Sequence, residues 1–579
     1  MLRSRRLNRP TAKEWTAALA LYVVLTAAMT WPFVTRLRII DAGDSAYFTW
    51  AVGWQIHALK TDPASLPHGN FYAPERFTYF MDEPVLGTGL LVLPLSWFTD
   101  DAILLFNVAR LLTWVLTGLF TWRLARDLGL DHRVALATGA FFAFSPIRVD
   151  QVAHLSTLGT QWIPLVFLFA RRFCLSPSAG DAARTGVAFA LSFLACGYHG
   201  LFFAVLLPLS LLPMIRVAKL RETVGLGVIT IATASAFLYP LYRLSRAALG
   251  PLGFERSASD TLKYSASLET FLAVSRWNRV WGDLLEPFRA DPSNLFPGLV
   301  VLGLALMAIV RLGRDRDHNG DRFIPTIIVL LIAAAALSLG PEIRFRGATL
   351  MPGPFALLKE VAPVFANIRA TSRAGIFVAF ALAVLGGWAL QSSRRRGAAS
   401  MIALAVFLLE ARISPIPTPS ITNVIDSSRP APAIDTWLKA QAPGTIVAEL
   451  PAKQAFDYSR PAFHDSIYMV RSTTHWQPLV NGFAGAETPL IRRFRAVAPS
   501  FPGPACLQIL REARAKIVVV HFRGFGPNQR DRIEREIAAM PDQLREVARF
   551  ADPERPDIDV DVAYELRPLP SAPPAEPRH

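Results

Sequence analysis

Long runs of apolar residues alternate with short basic segments along the first 412 residues of the chain. Trp15 to Val34 carries no charge over roughly the 20 residues a bilayer core requires, and the basic stretch MLRSRRLNRP precedes it. Ala102 to Leu124 forms a second run whose far end is marked by Arg123, Arg126 and Arg133. Val134 to Pro146 and Leu155 to Ala170 are separated by IRVDQVAH, with Arg133 on one flank and Arg171 and Arg172 on the other. Basic residues at both flanks mean two crossings, so Arg148, Asp150 and His154 fall at an outward hairpin tip. The same logic splits Gly186 to Ile215 into two crossings, with Tyr198 and His199 at the outward turn. Thr223 to Leu241, Phe296 to Val310, Phe323 to Leu339, Ala374 to Leu390 and Ala399 to Leu409 bring the expectation to about eleven spans. Arg110 is the one prominent charge inside a run.

The inner connections are short and basic, whereas the long ones, 35–101, 242–295 and 340–373, fall outside. Parity with a cytoplasmic N-terminus places the C-terminus outside as well. The first outer loop opens with DAGDSAYFTWAVGWQIHALKT, in which Tyr47, Trp50, Trp54 and Ala58 recur on one helical face, as in a helix lying in the membrane interface. Beyond Ile413 the pattern changes. A Pro-rich linker over 413–432 is followed by an α/β pattern over 433–569, with TIVAEL, KIVVVHF and DVDVAYEL as strands, KIVVVHF central, and Ala433 to Gln441 and Asn528 to Phe550 as helices. Residues 570–579 read as a disordered tail. The expected fold class is therefore a multispan α-helical membrane protein, residues 1–412, with a C-terminal extracytoplasmic α/β domain.

Composition agrees with this pattern. The 579 residues are 52% hydrophobic and only 18% charged, which is too apolar for a soluble chain of this length. A formal net charge of +15 would suggest nucleic acid in a soluble protein; here most of it follows from basic inner loops, and no nucleic-acid partner is expected. The three cysteines are far apart and imply no disulfide framework. No Walker A, G-x-S-x-G or H-E-x-x-H motif stands in a suitable context, so nucleotide-driven chemistry loses support.

The candidate chemistry lies outside the membrane. Asp44 is held at the membrane surface at the start of the interfacial helix, where it either caps that helix or acts as a base beside a lipid-anchored substrate. Asp41, Asp150 and His154 are the supporting acid, base or acceptor-site candidates. Arg36, Arg38, Arg148, Arg344, Arg346, Arg369 and Arg373 stand near span ends on the side where basic residues are disfavoured, and they need anions. Guanidinium forks suit phosphate oxygens, above all in NIRATSR, where Arg369 and Arg373 are one turn apart if the stretch is helical. Protein carboxylates and lipid headgroups are the other available partners. Asp41, Asp44, His68, Asp82, Glu83, Asp150 and His154 have no diagnostic spacing, which leaves a divalent cation open.

A first span, then a long outer loop with an early acid, then many spans and a C-terminal outer domain: this arrangement resembles the glycosyltransferase C superfamily. GDSAYFTW, QVAHLSTLGTQWIPL, SNLFPGLV, VFANIRATSR and HWQPLVNGF are similar to segments of a bacterial branch of such proteins. The resemblance places Asp44 at the position of the superfamily's catalytic or donor-site carboxylate. No Asp-Glu doublet follows the first span, and Asp150 matches a second acidic position only loosely. The implied reaction moves a sugar from a polyprenyl-phosphate donor to a glycan, lipid or protein acceptor of the cell envelope, at the outer face of the bacterial cytoplasmic membrane. Arg369, Arg373 and Arg148 would bind the donor phosphate. Two other readings use the same features without chemistry, namely a carrier or flippase for a lipid-linked glycan and a catalytically silent envelope scaffold. The orientation has a direct check: a periplasmic-type phosphatase fused after Pro568 should be active and a cytoplasmic reporter at the same site silent. The reverse pattern would overturn it.

Overall fold

The structure, a computed structural model, describes residues 10–149, 151–253, 257–289, 293–314, 322–413, 425–454, 457, 459, 461–551 and 560–568. Asp150, most of the Pro-rich linker and the 570–579 tail lie outside the described residues.

Each apolar run of the sequence contains a helix: Ala12–Met29, Ala102–Asp127, His132–Ala143, Ile163–Leu175, Ala179–Ala195, Gly197–Leu211, Leu220–Leu249, Leu299–Arg314, Phe323–Ser338, Gly375–Gln391 and Arg396–Glu410. Among the described residues, Ala102–Asp127, Gly197–Met214, Leu220–Leu252 and Thr371–Gln391 are long and apolar enough to cross a membrane. The run from Leu155 departs from expectation. Only a single turn, Leu155–Leu158, forms before Gly159, and the long helix begins at Ile163 with Pro164 in its first turn, where a missing amide costs nothing.

Hydrophobicity on every face sorts the helices by what surrounds them. Gly375–Gln391 is apolar all round and buried along almost its whole length, packed against Leu299–Arg314, Phe323–Ser338 and His132–Ala143. Leu220–Leu249 is also apolar, yet Val224, Val228, Ile231 and Phe237 are exposed, the surface a helix presents to lipid. Small residues let the first helix approach closely. Tyr22 lies against Gly118, where a Cβ would come within 2.5 Å of the ring, and its hydroxyl donates to the Leu136 carbonyl at 2.9 Å.

The basic ends of these helices converge. Asp127 accepts from Arg171 at 2.8 Å and Arg172 at 2.6 Å, Arg126 reaches Glu14 at 2.8 Å, and Arg396 stands 3.8 Å from Asp131. The runs that the sequence marks as having cytoplasmic ends therefore end together, at the opposite end of the helical body from the start of Gly375–Gln391.

After residue 424 the chain forms a four-stranded sheet. Val447–Leu450 pairs in parallel with Ile517–His521, which pairs antiparallel with Val560–Leu566, and Leu544–Ala551 lies antiparallel at the edge. Ile517–His521 is buried throughout, as expected of the KIVVVHF segment. The helix expected over Asn528 to Phe550 instead ends at Ala538, because Pro541 interrupts it and the chain returns as the edge strand.

This part of the chain is not a bead on a string. It shares one hydrophobic core with residues 35–101, including Tyr47, Trp50, Phe71, Ile467, Val480 and Phe483. Ile39–Ile40 pairs with Ile425–Asp426, Ala73 N–H donates to the Leu479 carbonyl at 2.8 Å, and Gly485 N–H donates to Asp82 Oδ2 at 2.7 Å. The Asp44–Thr61 helix accordingly does not float in the interface. Tyr47 (1% exposed), Trp50 (0%) and Trp54 (6%) point into protein, where Trp50 meets Phe71 edge-on and Tyr47 faces Phe483. Their rings find aromatic partners within the protein that a headgroup layer would otherwise supply.

The sheet also buries a charge. His521 bonds Glu449 Oε2 at 2.8 Å and Asp561 Oδ1 at 2.7 Å while its ring stacks on Tyr468. Burial alone would lower its pKa; Asp561 and Glu449 outweigh that and push it up to about 9. A His pKa raised on folding contributes stability that is complete below its unfolded value of about 6.5 and lost as pH rises through 9. The melting temperature of the full chain in detergent should therefore fall between pH 7 and 10. His521→Gln should flatten that slope and cost about 3 kcal/mol at pH 7, since it strands two carboxylates.

Candidate functional site

At the end of the helical body opposite the Asp127 cluster lies a cavity of about 300 Å³. Four separate stretches line it: Asp44 from the first outer loop; Ile147, Gln151, His154 and Thr157 from the hairpin tip; Ser293 to Leu295; and Arg369 to Ile376, with His199 and Tyr264 completing the wall.

Asp44 owes its position to local backbone geometry. Gly43 precedes the helix with φ 80°, a conformation that favours glycine, and its N–H donates to Ser466 Oγ at 2.9 Å. Gly43 takes the cap position, so Asp44 is the first helical residue and its carboxylate is free to turn into the cavity. There its Oδ2 lies 2.9 Å from His154 Nε2. Burial pushes the Asp44 pKa up, but the His154 hydrogen bond and charge, together with Arg373 and Arg369, outweigh it and hold the carboxyl below its usual range. The capping explanation for Asp44 is thereby set aside in favour of the His154 pairing.

The outer arginines divide into two groups. Arg38 stands 3.6 Å from Asp101, and Arg344 donates to the carbonyls of Leu262 and Ser265. Arg148 does not line the cavity. It is fully buried and donates to the carbonyls of Ala143 and Leu158, at the ends of two helices. Its expected place with the phosphate-binding groups is corrected accordingly. Arg369 and Arg373 do line the cavity. Each is steadied by an aromatic face, Arg369 over Tyr264 at 4.6 Å and Arg373 over Tyr198 at 4.3 Å. Arg373 also has Glu83 at 3.7 Å, a loose contact, and among the described residues Arg369 has no carboxylate within ion-pair distance.

Asp41 lies outside the lining; its carboxylate accepts from Ala42 N–H at 3.1 Å, and burial raises its pKa. Asp82 is partly buried, and its desolvation pushes its pKa up to about 6, with Glu83 and Asp44 adding repulsion. Among the described residues no group of three or more His, Cys, Asp or Glu is placed to hold a metal ion. One carboxylate, two imidazoles and two guanidiniums line the cavity among the described residues, and the two positive charges oppose a divalent cation there.

Tyr198, His199, Tyr264, Ser293 and Asn294 were not among the expected site residues. Ser293 and Asn294 belong to SNLFPGLV, and Gln151, His154 and Thr157 to QVAHLSTLGTQWIPL, so the segments carrying the family resemblance also carry the lining.

Comparison with solved structures places the fold. Arabinofuranosyltransferase AftD from Mycobacteria superimposes with a TM-score of 0.56 at 15% identity, over 96% of this chain and 42% of that one. The Archaeoglobus fulgidus oligosaccharyltransferase tethered with an acceptor peptide gives 0.50 at 13% identity, over 89% and 70%. ArnT from Cupriavidus metallidurans bound to undecaprenyl phosphate gives 0.48 at 11%, over 96% and 98%. The chain shares its fold with AftD and the oligosaccharyltransferase, and it spans about two fifths of AftD. No curated protein sequence matches it. The chain belongs to the family described as a domain of unknown function, DUF6311, whose profile matches residues 18–410.

The two arginines have a quantitative check. A charge-assisted contact to phosphate is worth roughly 1.5–3 kcal/mol. Replacing Arg369 and Arg373 together by Gln should weaken binding of a lipid phosphate at least about tenfold. A loss below about threefold would mean that they serve the fold or the headgroup layer instead.

Proposed function

We propose that this protein is an integral membrane glycosyltransferase that moves a sugar from a polyprenyl-phosphate donor to an acceptor hydroxyl of the cell envelope. The observation that carries the reading is the convergence of a carboxylate–imidazole pair and two phosphate-suited guanidiniums on one cavity at one end of the helical body. The fold shared with AftD and the oligosaccharyltransferase supports the same class. About eleven spans, an inside N-terminus and an outward C-terminal α/β domain over 433–569 complete the proposed arrangement, which puts the cavity at the outer face of the bacterial cytoplasmic membrane.

In the proposed reaction the acceptor oxygen attacks the anomeric carbon as the bond from that carbon to the phosphate oxygen breaks. The electron pair leaves with the lipid phosphate, and the acceptor proton passes to Asp44. Arg369 and Arg373 stabilise the charge that develops on the phosphate. His154 orients Asp44 and keeps it ionised when no acceptor is bound. Phosphate is a good leaving group, so base strength is not limiting and a carboxylate held below its usual range suffices. A carrier or a silent scaffold would use the arginines but leave the Asp44–His154 pair without a task.

Asp44→Asn preserves size and can still hydrogen-bond His154, so folding should survive while turnover falls about 10²- to 10⁴-fold. Because the Asp44 pKa is depressed, the acid limb of the pH–rate profile due to this group should lie below its ordinary value of 3.8. Asp41→Asn should do much less. Transfer of radiolabelled sugar from a lipid phosphate by purified protein is the measurement. Near-normal transfer by Asp44→Asn would remove it from the chemistry.

A further inference from the structure

His199 is buried to 1% exposure and lines the cavity, yet among the described residues neither ring nitrogen has a hydrogen-bond partner of good geometry, although the Gly159 backbone lies near the ring. Its other neighbours are the edge of Phe377, the Ile147 and Ile376 side chains in the cavity wall, and the charges of Arg148 and Arg373. Neither arginine can accept a hydrogen bond. A buried polar group left unpaired is costly, so the geometry points to a ligand that supplies the missing partner. The adjacent residue, Tyr198, spends its ring on Arg373, so one dipeptide at the outward turn both steadies the anion-suited arginine and sets an imidazole beside it.

We propose that His199 binds hydroxyl groups of the sugar ring of the donor, a deepening that rests on the reading of the cavity as a glycosyltransferase site. A neutral imidazole offers one N–H donor and one acceptor nitrogen, and a sugar hydroxyl is both acceptor and donor, so the two are matched where a charged or purely apolar ligand is not. Gln151 and Thr157 line the same hairpin side of the cavity and extend the polar wall. The volume of about 300 Å³ lies at the small end of ligand pockets, typically about 300–1,000 Å³, and suits one sugar ring rather than an oligosaccharide. The substrate class that follows is a lipid-phosphate monosaccharide.

The test compares binding of bare undecaprenyl phosphate with that of undecaprenyl phosphate carrying one glucosyl, mannosyl or arabinosyl group, using the full chain in detergent. His199→Ala should bind the bare lipid within about twofold of the wild type but lose about five- to tenfold for the glycosylated lipid that the wild type prefers. His199→Gln, which keeps a donor and an acceptor, should recover most of that loss. Equal losses on both lipids would show that His199 only shapes the cavity, and no loss on either would remove it from recognition; both results overturn the proposal. A wild type that binds neither lipid would overturn the glycosyltransferase reading itself, and one that binds the bare lipid but discriminates no sugar would overturn the His199 proposal alone.

Discussion

The Asp44–Thr61 helix is clamped between the helical body and the C-terminal sheet region, and the geometry of the cavity depends on that clamp. Trp50 Nε1 donates to Asn70 Oδ1 at 2.7 Å, and Asn70 in turn donates to Ser472 Oγ and to the Gln477 carbonyl. At the helix start, Gly43 is tied to Ser466. A carboxylate on a free interfacial helix would move with the lipid surface. Here it is fixed through buried hydrogen bonds and aromatic contacts on both sides, the kind of support a site needs to hold its groups to a fraction of an ångström. The C-terminal region is thus part of the site's foundation although none of its residues lines the cavity.

A second constraint operates from the far end of the helices. Asp127, 1% exposed, draws Arg171 and Arg172 together, and Glu14 joins through Arg126. These charges sit where the helices are tied, while the cavity opens where they diverge and where Pro164, Gly159 and the turns around Thr371 break regular structure. Irregular backbone at membrane depth is tolerated where it lines a polar cavity, since water or ligand can satisfy the groups that a helix would have paired.

The electrostatics follow from the same placement. Of the outer arginines, some complete helix ends by donating to carbonyls, as Arg148 and Arg344 do, and two are held over aromatic rings with their forks in the cavity. Against the upward push of burial, the His154 hydrogen bond and charge, with smaller contributions from these two arginines, hold Asp44 below its usual range.

How much of this was legible in the sequence differs between levels. The apolar runs and their basic flanks determined where the helices form, because a bilayer allows few alternatives to a helix for a charge-free run of that length. The apolar run in KIVVVHF and the alternation in DVDVAYEL determined two neighbouring strands, and GDSAYFTW and NIRATSR carry Asp44, Arg369 and Arg373, which the fold brings to one cavity. The tertiary structure decided what these residues do with one another. That Asp44 meets His154 and that the aromatic face of the Asp44–Thr61 helix packs on Phe71 and Phe483 depend on segments between about 20 and more than 400 positions apart in the chain, whereas Arg148 turns inward to carbonyls only 5 and 10 positions away. A period along one segment reports which face is apolar but not whether protein or lipid will cover it. His199 shows the limit most clearly: in the sequence it is one polar residue at a turn, and only the packing of four distant stretches around it makes it a buried group facing a cavity.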